Sequence, residues 1–242
     1  MKTEHAMTIA RVASICAVLC VCLLAAEARA QPQTYVAGLH YQELAMPLPD
    51  PDADRYDVAE LFWYGCPVCY DLLPTSQIWE SSYRTTDMTF SRLPAVWNEA
   101  MAIHAQLFLT ARELGLLPEV NKSSWEAKPG IHAAIFEAIH VGNNPLSSVA
   151  EAATLFEQWG VSPPAFDIAW NSKAVSTQLA TVKSLAGLDE VPGLPALVVD
   201  GRYVVTFNEA VTTTEELYKV VNFLIVQLRE VERRGAAAPA RP

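Results

Sequence analysis

Basic residues and cysteines are both scarce in this sequence. Its 242 residues include 17 Lys and Arg against 27 Asp and Glu, which gives a formal net charge of −10. An acidic chain repels a phosphate backbone, so we predict that nucleic acid is not a partner. The sequence also has no repeat of fixed period and no zinc-finger spacing, which excludes solenoids and zinc arrays. Because 51% of the residues are hydrophobic and 18% are charged, the chain can bury a core, which excludes a disordered protein.

Residues 1–30 have the pattern of a secretory signal peptide. Lys2 and Arg11 precede an apolar run over residues 15–26, which is too short to span a bilayer comfortably. Small residues on either side of Arg29 then form a cleavage site of the expected type. We therefore predict export, with cleavage near Ala30. An uncleaved N-terminal anchor is the alternative.

Cleavage would leave only two cysteines, Cys66 and Cys69, in a chain with 14 of the 17 basic and 25 of the 27 acidic residues. A disulfide between neighbours this close closes a very short loop and stabilises little. The pair is therefore more consistent with reactivity than with a structural bridge. A zinc site would need two further ligands, and the histidines show no metal-ligand spacing, so we predict no metal.

The region around the cysteines has the pattern of a strand, a helix and a second strand. Residues 31–54 are rich in Pro and Asp and form a lead-in. Residues 58–64 are almost uninterrupted apolar residues, as in a strand buried on both faces. We predict a helix from Pro67 to about residue 83, containing Pro74, and a strand over residues 88–93.

The rest of the chain divides into a helical block and a final hairpin with a helix. Residues 98–186 contain only helical patterns, whereas residues 187–234 contain an Asp-Gly hairpin signature and a final amphipathic helix. Residues 235–242 form a tail that we expect to be disordered. With residues 31–97 as the first part of the sheet domain, this order predicts an α/β protein with a thioredoxin-like fold and an inserted helical domain.

The position of the cysteines predicts thiol–disulfide exchange. Cys66 follows a strand and begins a helix, where backbone N–H groups and the helix dipole stabilise a thiolate. Pro67 suits the first helical position, because its missing N–H has no partner there anyway. Cys69, about one turn later, can resolve a mixed disulfide formed at Cys66.

Five further positions are candidates for the site. Glu60 is a single acid inside the apolar strand, and burial disfavours the ionised form of a carboxyl group, so we predict that it exchanges protons with the cysteines. A strand-edge glutamate that reaches solvent is the alternative. Trp63 and Tyr64 are predicted to pack beside the site and contact substrate. A cis bond at Pro195 would expose the backbone of Leu194 to an extended peptide, although an ordinary trans proline would also fit this sequence.

Three segments in this order resemble the DsbA family of exported thiol:disulfide oxidoreductases. They are ELFWYGCPVCY at residues 60–70, FDIAWNS at 166–172 and GLPALVVDGRY at 193–203. With the helical insert, the likeness extends over nearly all of residues 35–230. The resemblance implies a nucleophile at Cys66, a resolving Cys69, a buried acid at Glu60 and a cis-proline at Pro195.

The resemblance also implies what the protein does and where. It implies a monomeric periplasmic enzyme that has no cofactor besides its redox-active disulfide. That disulfide would pass to cysteines of exported polypeptides, and a membrane reoxidase of the DsbB type would restore it. One departure concerns Val68, because well-known members have histidine there, and valine cannot supply a charge or a hydrogen bond to the thiolate. A periplasmic reductant or isomerase therefore remains an alternative, as does a non-redox peptide-binding chaperone.

Overall fold

The structure is a computed structural model that describes residues 34–48, 54–117, 130–185 and 187–236. Its centre is a five-stranded sheet with the strand order β1-β5-β4-β2-β3. The strands are β1 Gln42–Glu43, β2 Tyr56–Phe62, β3 Met88–Pro94, β4 Ala196–Val199 and β5 Tyr203–Thr206. The predicted signal peptide lies outside the described residues, as does the tail after residue 236.

The sheet is mixed, and the connection between its two parallel strands contains the cysteines. β2 and β3 run parallel and are joined by helix α1, Pro67–Tyr83. β4 pairs antiparallel with both β2 and β5, and the short β1 pairs antiparallel with β5 at one edge. β2 therefore has a hydrogen-bonded neighbour on each side. Buried side chains also cover both faces of the sheet, which explains why most residues of β2 are apolar.

Six further α-helices follow α1 in the described part of the chain. They are α2 Glu99–Glu113, α3 Ile131–His140, α4 Val149–Glu157, α5 Pro163–Trp170, α6 Lys173–Lys183 and α7 Thr214–Ala236. A short 3-10 helix, Leu188–Glu190, connects α6 to the sheet. This arrangement confirms the α/β class and the thioredoxin-like sheet interrupted by a helical insert.

The ends of several elements follow directly from local sequence. Ser148 and Glu151 form the reciprocal capping box that begins α4. The hydroxyl of Thr213 accepts from the backbone N–H of Glu216 at the start of α7. The end of α7 differs from the predicted boundary at residue 234, because the helix continues to Ala236. Two arginines in its last turn interact favourably with the negative end of the helix dipole.

The buried side chains form three clusters. One lies between the helical insert and the active-site end of β2 and includes Phe62, Tyr64 and both cysteines. A second lies between the sheet and the inner faces of α1 and α7. A third covers the opposite face of the sheet. No described helix is long and apolar enough to cross a membrane. The cysteines thus sit where the insert packs against the sheet.

Candidate active site

Cys66 is the N-cap residue of α1, and its sulfur accepts hydrogen bonds from the helix it begins. Its backbone is extended, and the N–H of Cys69 donates to its Sγ across 3.2 Å. A hydrogen bond from the Cys69 side chain, with others from the backbone N–H groups of Cys69 and Val68, lowers the pKa of Cys66 to about 7. Burial and the charge of Asp71 oppose this effect. The thiolate of Cys66 therefore forms at a lower pH than that of an ordinary cysteine.

Cys69 has the opposite properties. It is fully buried, whereas Cys66 keeps 8% of its surface exposed. Burial is the main cause that raises the pKa of Cys69 far above its ordinary value, and the neighbouring Cys66 adds to this. Both cysteines are free thiols in this structure. An incoming sulfur can thus reach Cys66, while Cys69 can react only from inside the protein.

The peptide bond between Leu194 and Pro195 is cis, and it lies beside Cys66. The Cys66 thiol faces the carbonyl oxygen of Leu194 at 3.7 Å. On the other side, the hydroxyl of Thr206 in β5 donates to the Pro195 carbonyl at 2.9 Å. The loop before β4 therefore presents backbone atoms next to the reactive sulfur, although the two segments are about 130 residues apart in the sequence.

The turn from β2 into α1 is shaped by Trp63 and Gly65. The Trp63 carbonyl accepts from the backbone N–H of Cys66 at 3.0 Å. Its indole ring lies over Gly65 so closely that a β-carbon there would be 2.3 Å from the ring. Only glycine fits under the ring in this position. Trp63 is half-buried and stacks on His104 with ring centroids 5.9 Å apart.

The prediction that Tyr64 contacts substrate is wrong. Tyr64 is fully buried, and its hydroxyl is hydrogen-bonded to Nδ1 of His132 at 2.8 Å. The chain turns inward after Trp63. The Tyr64 side chain therefore points into the helical insert and not toward solvent. Its role in this structure is to hold the insert against the sheet domain.

Sequence reasoning missed the histidines that the insert contributes. His132 and His140 lie on α3, and the Nε2–H of His140 donates to the backbone carbonyl of Tyr64 at 2.8 Å. His140 also stacks on Tyr70 with ring planes only 8° apart. Spacing could have found this face, because His132, Phe136 and His140 are four residues apart along one side of a helix. The segment before Cys66 is thus fixed by the insert.

Glu60 is buried in β2, and it has an unexpected cationic partner. Nε of Arg92, directly opposite on β3, lies 3.4 Å from Glu60 Oε2. The hydroxyl of Ser76 on α1 donates to the same oxygen at 2.6 Å. The acid that looks isolated in the sequence therefore has an ion pair and a hydrogen bond beneath the active-site helix, and the alternative of a solvent-facing glutamate is wrong.

The two residues between the cysteines are both exposed. Pro67 occupies the first helical position, as predicted, and Val68 keeps 45% of its surface accessible. The Val68 side chain thus faces solvent beside the reactive sulfur, while its backbone N–H supports the thiolate. Within the described ranges, no group of three or more His, Cys, Asp or Glu side chains could hold a metal ion.

No family model matches the chain, but individual relatives do. The thiol:disulfide interchange protein DsbA of Pseudomonas aeruginosa is 35% identical over 205 residues, which cover 85% of this chain and 91% of the relative. DsbA of Azotobacter vinelandii is 33% identical and covers 83% of this chain and 88% of the relative.

Solved structures show the same likeness. The crystal structure of Pseudomonas aeruginosa DsbA matches with a TM-score of 0.71 and 35% identity, over 82% of this chain and 97% of that one. The oxidoreductase DsbA from Xylella fastidiosa matches with a TM-score of 0.69 and 29% identity, over 82% of this chain and 100% of that one. Sequence identity over most of the chain, a shared fold and the Cys66–Cys69 geometry lead to one conclusion: this chain belongs to the DsbA family of thiol:disulfide oxidoreductases.

Proposed function

We propose that the Cys66–Cys69 disulfide is donated to cysteine-containing exported polypeptides as they fold in the periplasm. The single observation that carries this proposal is the asymmetry of the two sulfurs. Cys66 keeps 8% of its surface exposed and has a pKa lowered to about 7, whereas Cys69 is fully buried and has a raised pKa. In such a pair, an external thiolate attacks Cys66. Cys69 then departs with the electron pair of the broken disulfide bond.

The reaction proceeds in two exchanges. A substrate thiolate attacks Cys66 Sγ, the Cys66–Cys69 bond breaks, and Cys69 leaves with an electron pair and takes up a proton. A second substrate thiolate then attacks the substrate sulfur of the mixed disulfide and releases Cys66 as a thiolate. The substrate gains a disulfide, the enzyme becomes a dithiol, and one proton remains on Cys69.

The Leu194 carbonyl supports a role for this loop in holding the substrate. It lies 3.7 Å from Cys66 Sγ, so a peptide joined to that sulfur would run beside the Leu194–Pro195 backbone. Trp63 is half-buried at the same end of β2 and remains a candidate contact. Reoxidation by a membrane partner of the DsbB type, export after cleavage near Ala30 and a monomeric state complete the proposal.

One observation favours a weaker oxidant as the second candidate. Val68 contributes no imidazole beside the thiolate, and the pKa of Cys66, about 7, is close to the value of about 7 known for the reducing protein thioredoxin. A protein with such a thiolate could act as a reductant or isomerase. The two candidates differ in the reduction potential of the same cysteine pair.

Equilibration with glutathione buffers separates these candidates. The reduced fraction of the purified mature protein would be measured by alkylation and mass, with Cys66→Ser as a control that cannot form the disulfide. We expect a potential nearer to about −120 mV, typical of oxidising members, than to about −270 mV, typical of thioredoxin. A value near the thioredoxin potential would assign the protein to the reductant class.

A further inference from the structure

Arg92 forms ion pairs with two carboxylates under the active-site helix. One is Glu60 on β2, whose Oε2 lies 3.4 Å from Arg92 Nε. The other is Glu80 on α1, whose Oε2 lies 3.6 Å from Arg92 Nη2. The Ser76 hydroxyl contacts the first acid and the guanidinium, 2.6 Å from Glu60 Oε2 and 3.4 Å from Arg92 Nη2. A single guanidinium thus joins two acids and a hydroxyl.

The two acids differ in their access to solvent. The Glu60 side chain is 1% exposed and is therefore buried. The Glu80 side chain is 14% exposed and reaches the protein surface. Ser76 and Glu80 lie one turn apart on α1, and both contact the same nitrogen of Arg92, which brings their oxygens onto one side of the helix. The cluster of Glu60, Ser76, Arg92 and Glu80 therefore extends from the interior to the surface.

The exchange reaction requires a proton at a place that water does not reach. When an external thiolate breaks the disulfide, Cys69 leaves as a thiolate, and its raised pKa means that it must become a thiol. Cys69 is fully buried, so the proton has to come through the protein. Glu60 contacts the helix that carries Cys69, because the Ser76 hydroxyl on that helix donates to Glu60 Oε2 at 2.6 Å. The charge of Glu60 is also among the causes that raise the pKa of Cys69.

We propose that Glu80 is the solvent-facing proton-exchange group of this enzyme, serving Cys69 through Ser76 and Glu60, with Arg92 positioning the two acids. In the reducing direction, a proton from Glu80 passes through the Ser76 hydroxyl to the Glu60 carboxylate and from there to Cys69. Glu60 is left as a carboxylate, and solvent returns a proton to Glu80. Reoxidation moves the proton along the same groups in reverse. This inference rests on the proposed exchange at Cys66 and Cys69.

The electrostatic surroundings of Glu80 are consistent with this role. Burial raises the pKa of Glu80 above its ordinary value, and the charge of Glu60 adds to the rise. Arg92 and Arg84 oppose it. The phenol of Tyr218 on α7 faces the same group, and its pKa is raised by burial first and then by Glu60. Glu80 thus holds its proton at a higher pH than a surface glutamate does.

The decisive variant is Glu80→Gln, which keeps the side-chain shape and leaves Arg92 paired with Glu60. The probe is reduced glutathione mixed rapidly with the oxidised mature protein, since this reaction isolates the departure of Cys69. For the wild type, we expect the rate per glutathione thiolate to fall as pH rises and Glu80 loses its proton. General acids typically contribute about 10²–10⁴-fold, so a group acting through two others should contribute about tenfold at low pH.

In Glu80→Gln we expect the rate at low pH to fall about tenfold and its pH dependence to flatten, while Glu80→Asp retains both. Glu215→Gln is the matched control, because it removes an acid that is ion-paired with a lysine at the surface of α7. It should leave the profile unchanged. A uniform slowing of Glu80→Gln with the wild-type pH profile would assign Glu80 a purely structural role and overturn the proposal.

Ser76→Ala tests the central step on the same helix. Ser81→Ala is its control, because the Ser81 hydroxyl is exposed and donates to the backbone carbonyl of Ile78. We expect Ser76→Ala to flatten the profile as Glu80→Gln does, and Ser81→Ala to match the wild type. An unchanged profile in Ser76→Ala would contradict the route.

If the wild type itself forms no mixed disulfide with glutathione, the proposed function fails, which is distinct from a failure confined to these variants.

Discussion

The backbone N–H of Cys69 points at the sulfur of Cys66 across 3.2 Å. The two cysteines are three residues apart on the first turn of a helix, so Cys69 helps to stabilise the thiolate of Cys66. The side chain of Cys69 contributes the largest part of the fall in the Cys66 pKa to about 7. Removing that side chain should therefore change the reactivity of a residue that is itself untouched.

Substitution of Cys69 should shift the titration of Cys66. In Cys69→Ala we expect the pH of half-maximal alkylation of Cys66 by iodoacetamide to rise from about 7 toward the ordinary thiol value of about 8.5. Cys69→Ser keeps an O–H donor and should shift less. The alkylation rate of Cys66 is measured from pH 5 to 10. Identical titrations of Cys69→Ala and the wild type would show that the Cys69 side chain does not lower the pKa of Cys66.

The two cysteines should also differ in the products they form. Cys66→Ser is expected to abolish exchange, because Cys69 is sealed from external thiols. Cys69→Ser is expected to trap mixed disulfides, because nothing remains to resolve them. Non-reducing electrophoresis of each variant after incubation with a reduced protein substrate distinguishes the two. Trapped complexes in Cys66→Ser would reverse the roles.

Val68→His should make the protein a stronger oxidant. Val68 is 45% exposed, so an imidazole can be accommodated beside the thiolate. It would stabilise the reduced form through a hydrogen bond to a charged sulfur worth about 1.5–3 kcal/mol, and about 1.4 kcal/mol corresponds to about 30 mV. We expect the reduction potential to rise by some tens of millivolts, with no comparable rise in Val68→Leu. An unchanged or lower potential in Val68→His would show that this position does not limit oxidising power.

Gly65→Ala should destabilise the turn that leads into the active site. The new β-carbon would lie 2.3 Å from the Trp63 ring, so ring or backbone must move. Overpacking of this kind costs about 1–3 kcal/mol in the free energy of unfolding. Gly193→Ala is the matched control, since its β-carbon would meet no atom within 4 Å. Urea unfolding of both variants provides the comparison, and equal stabilities would mean that Trp63 yields without cost.

The buried His132 should make the fold sensitive to acid. Burial lowers the pKa of His132 well below its ordinary value of 6.5, so the folded protein holds this imidazole neutral. Below about pH 6.5 the unfolded chain takes up a proton that the folded chain does not, and stability falls as pH decreases. We expect His132→Gln to lose less stability than the wild type between pH 7.5 and pH 5. Urea unfolding at both pH values measures this, and equal losses would contradict it.

Much of the fold can be predicted from the sequence because the sequence signals are local. The apolar run at residues 58–64 overlaps β2, Tyr56–Phe62, and the predicted helix limits at Pro67 and residue 83 agree with α1. Ser148 and Glu151, which form the capping box of α4, are only three residues apart. Such features depend on side chains within a few residues of one another, so hydrophobic period and capping chemistry suffice to place them.

The site was only partly predictable, for a related reason. The position of Cys66 at a helix start predicts its thiolate, because the stabilising N–H groups belong to the same turn. Tyr64 was misplaced, since the sequence shows that it is near Cys66 but not which way it points. His132 fixed that direction from a helix about 70 residues away.

Local sequence is sufficient to show that a reactive cysteine pair begins a helix after a buried strand. It also shows the order of elements in a thioredoxin-like fold with a helical insert. The surroundings of that pair follow only from the folded chain: the Leu194 carbonyl lies beside Cys66, and Arg92 lies between Glu60 and Glu80. The difference arises because helix starts and apolar runs are set by neighbours in the chain. Burial and ion pairing are set by residues that come together only when strands and helices pack.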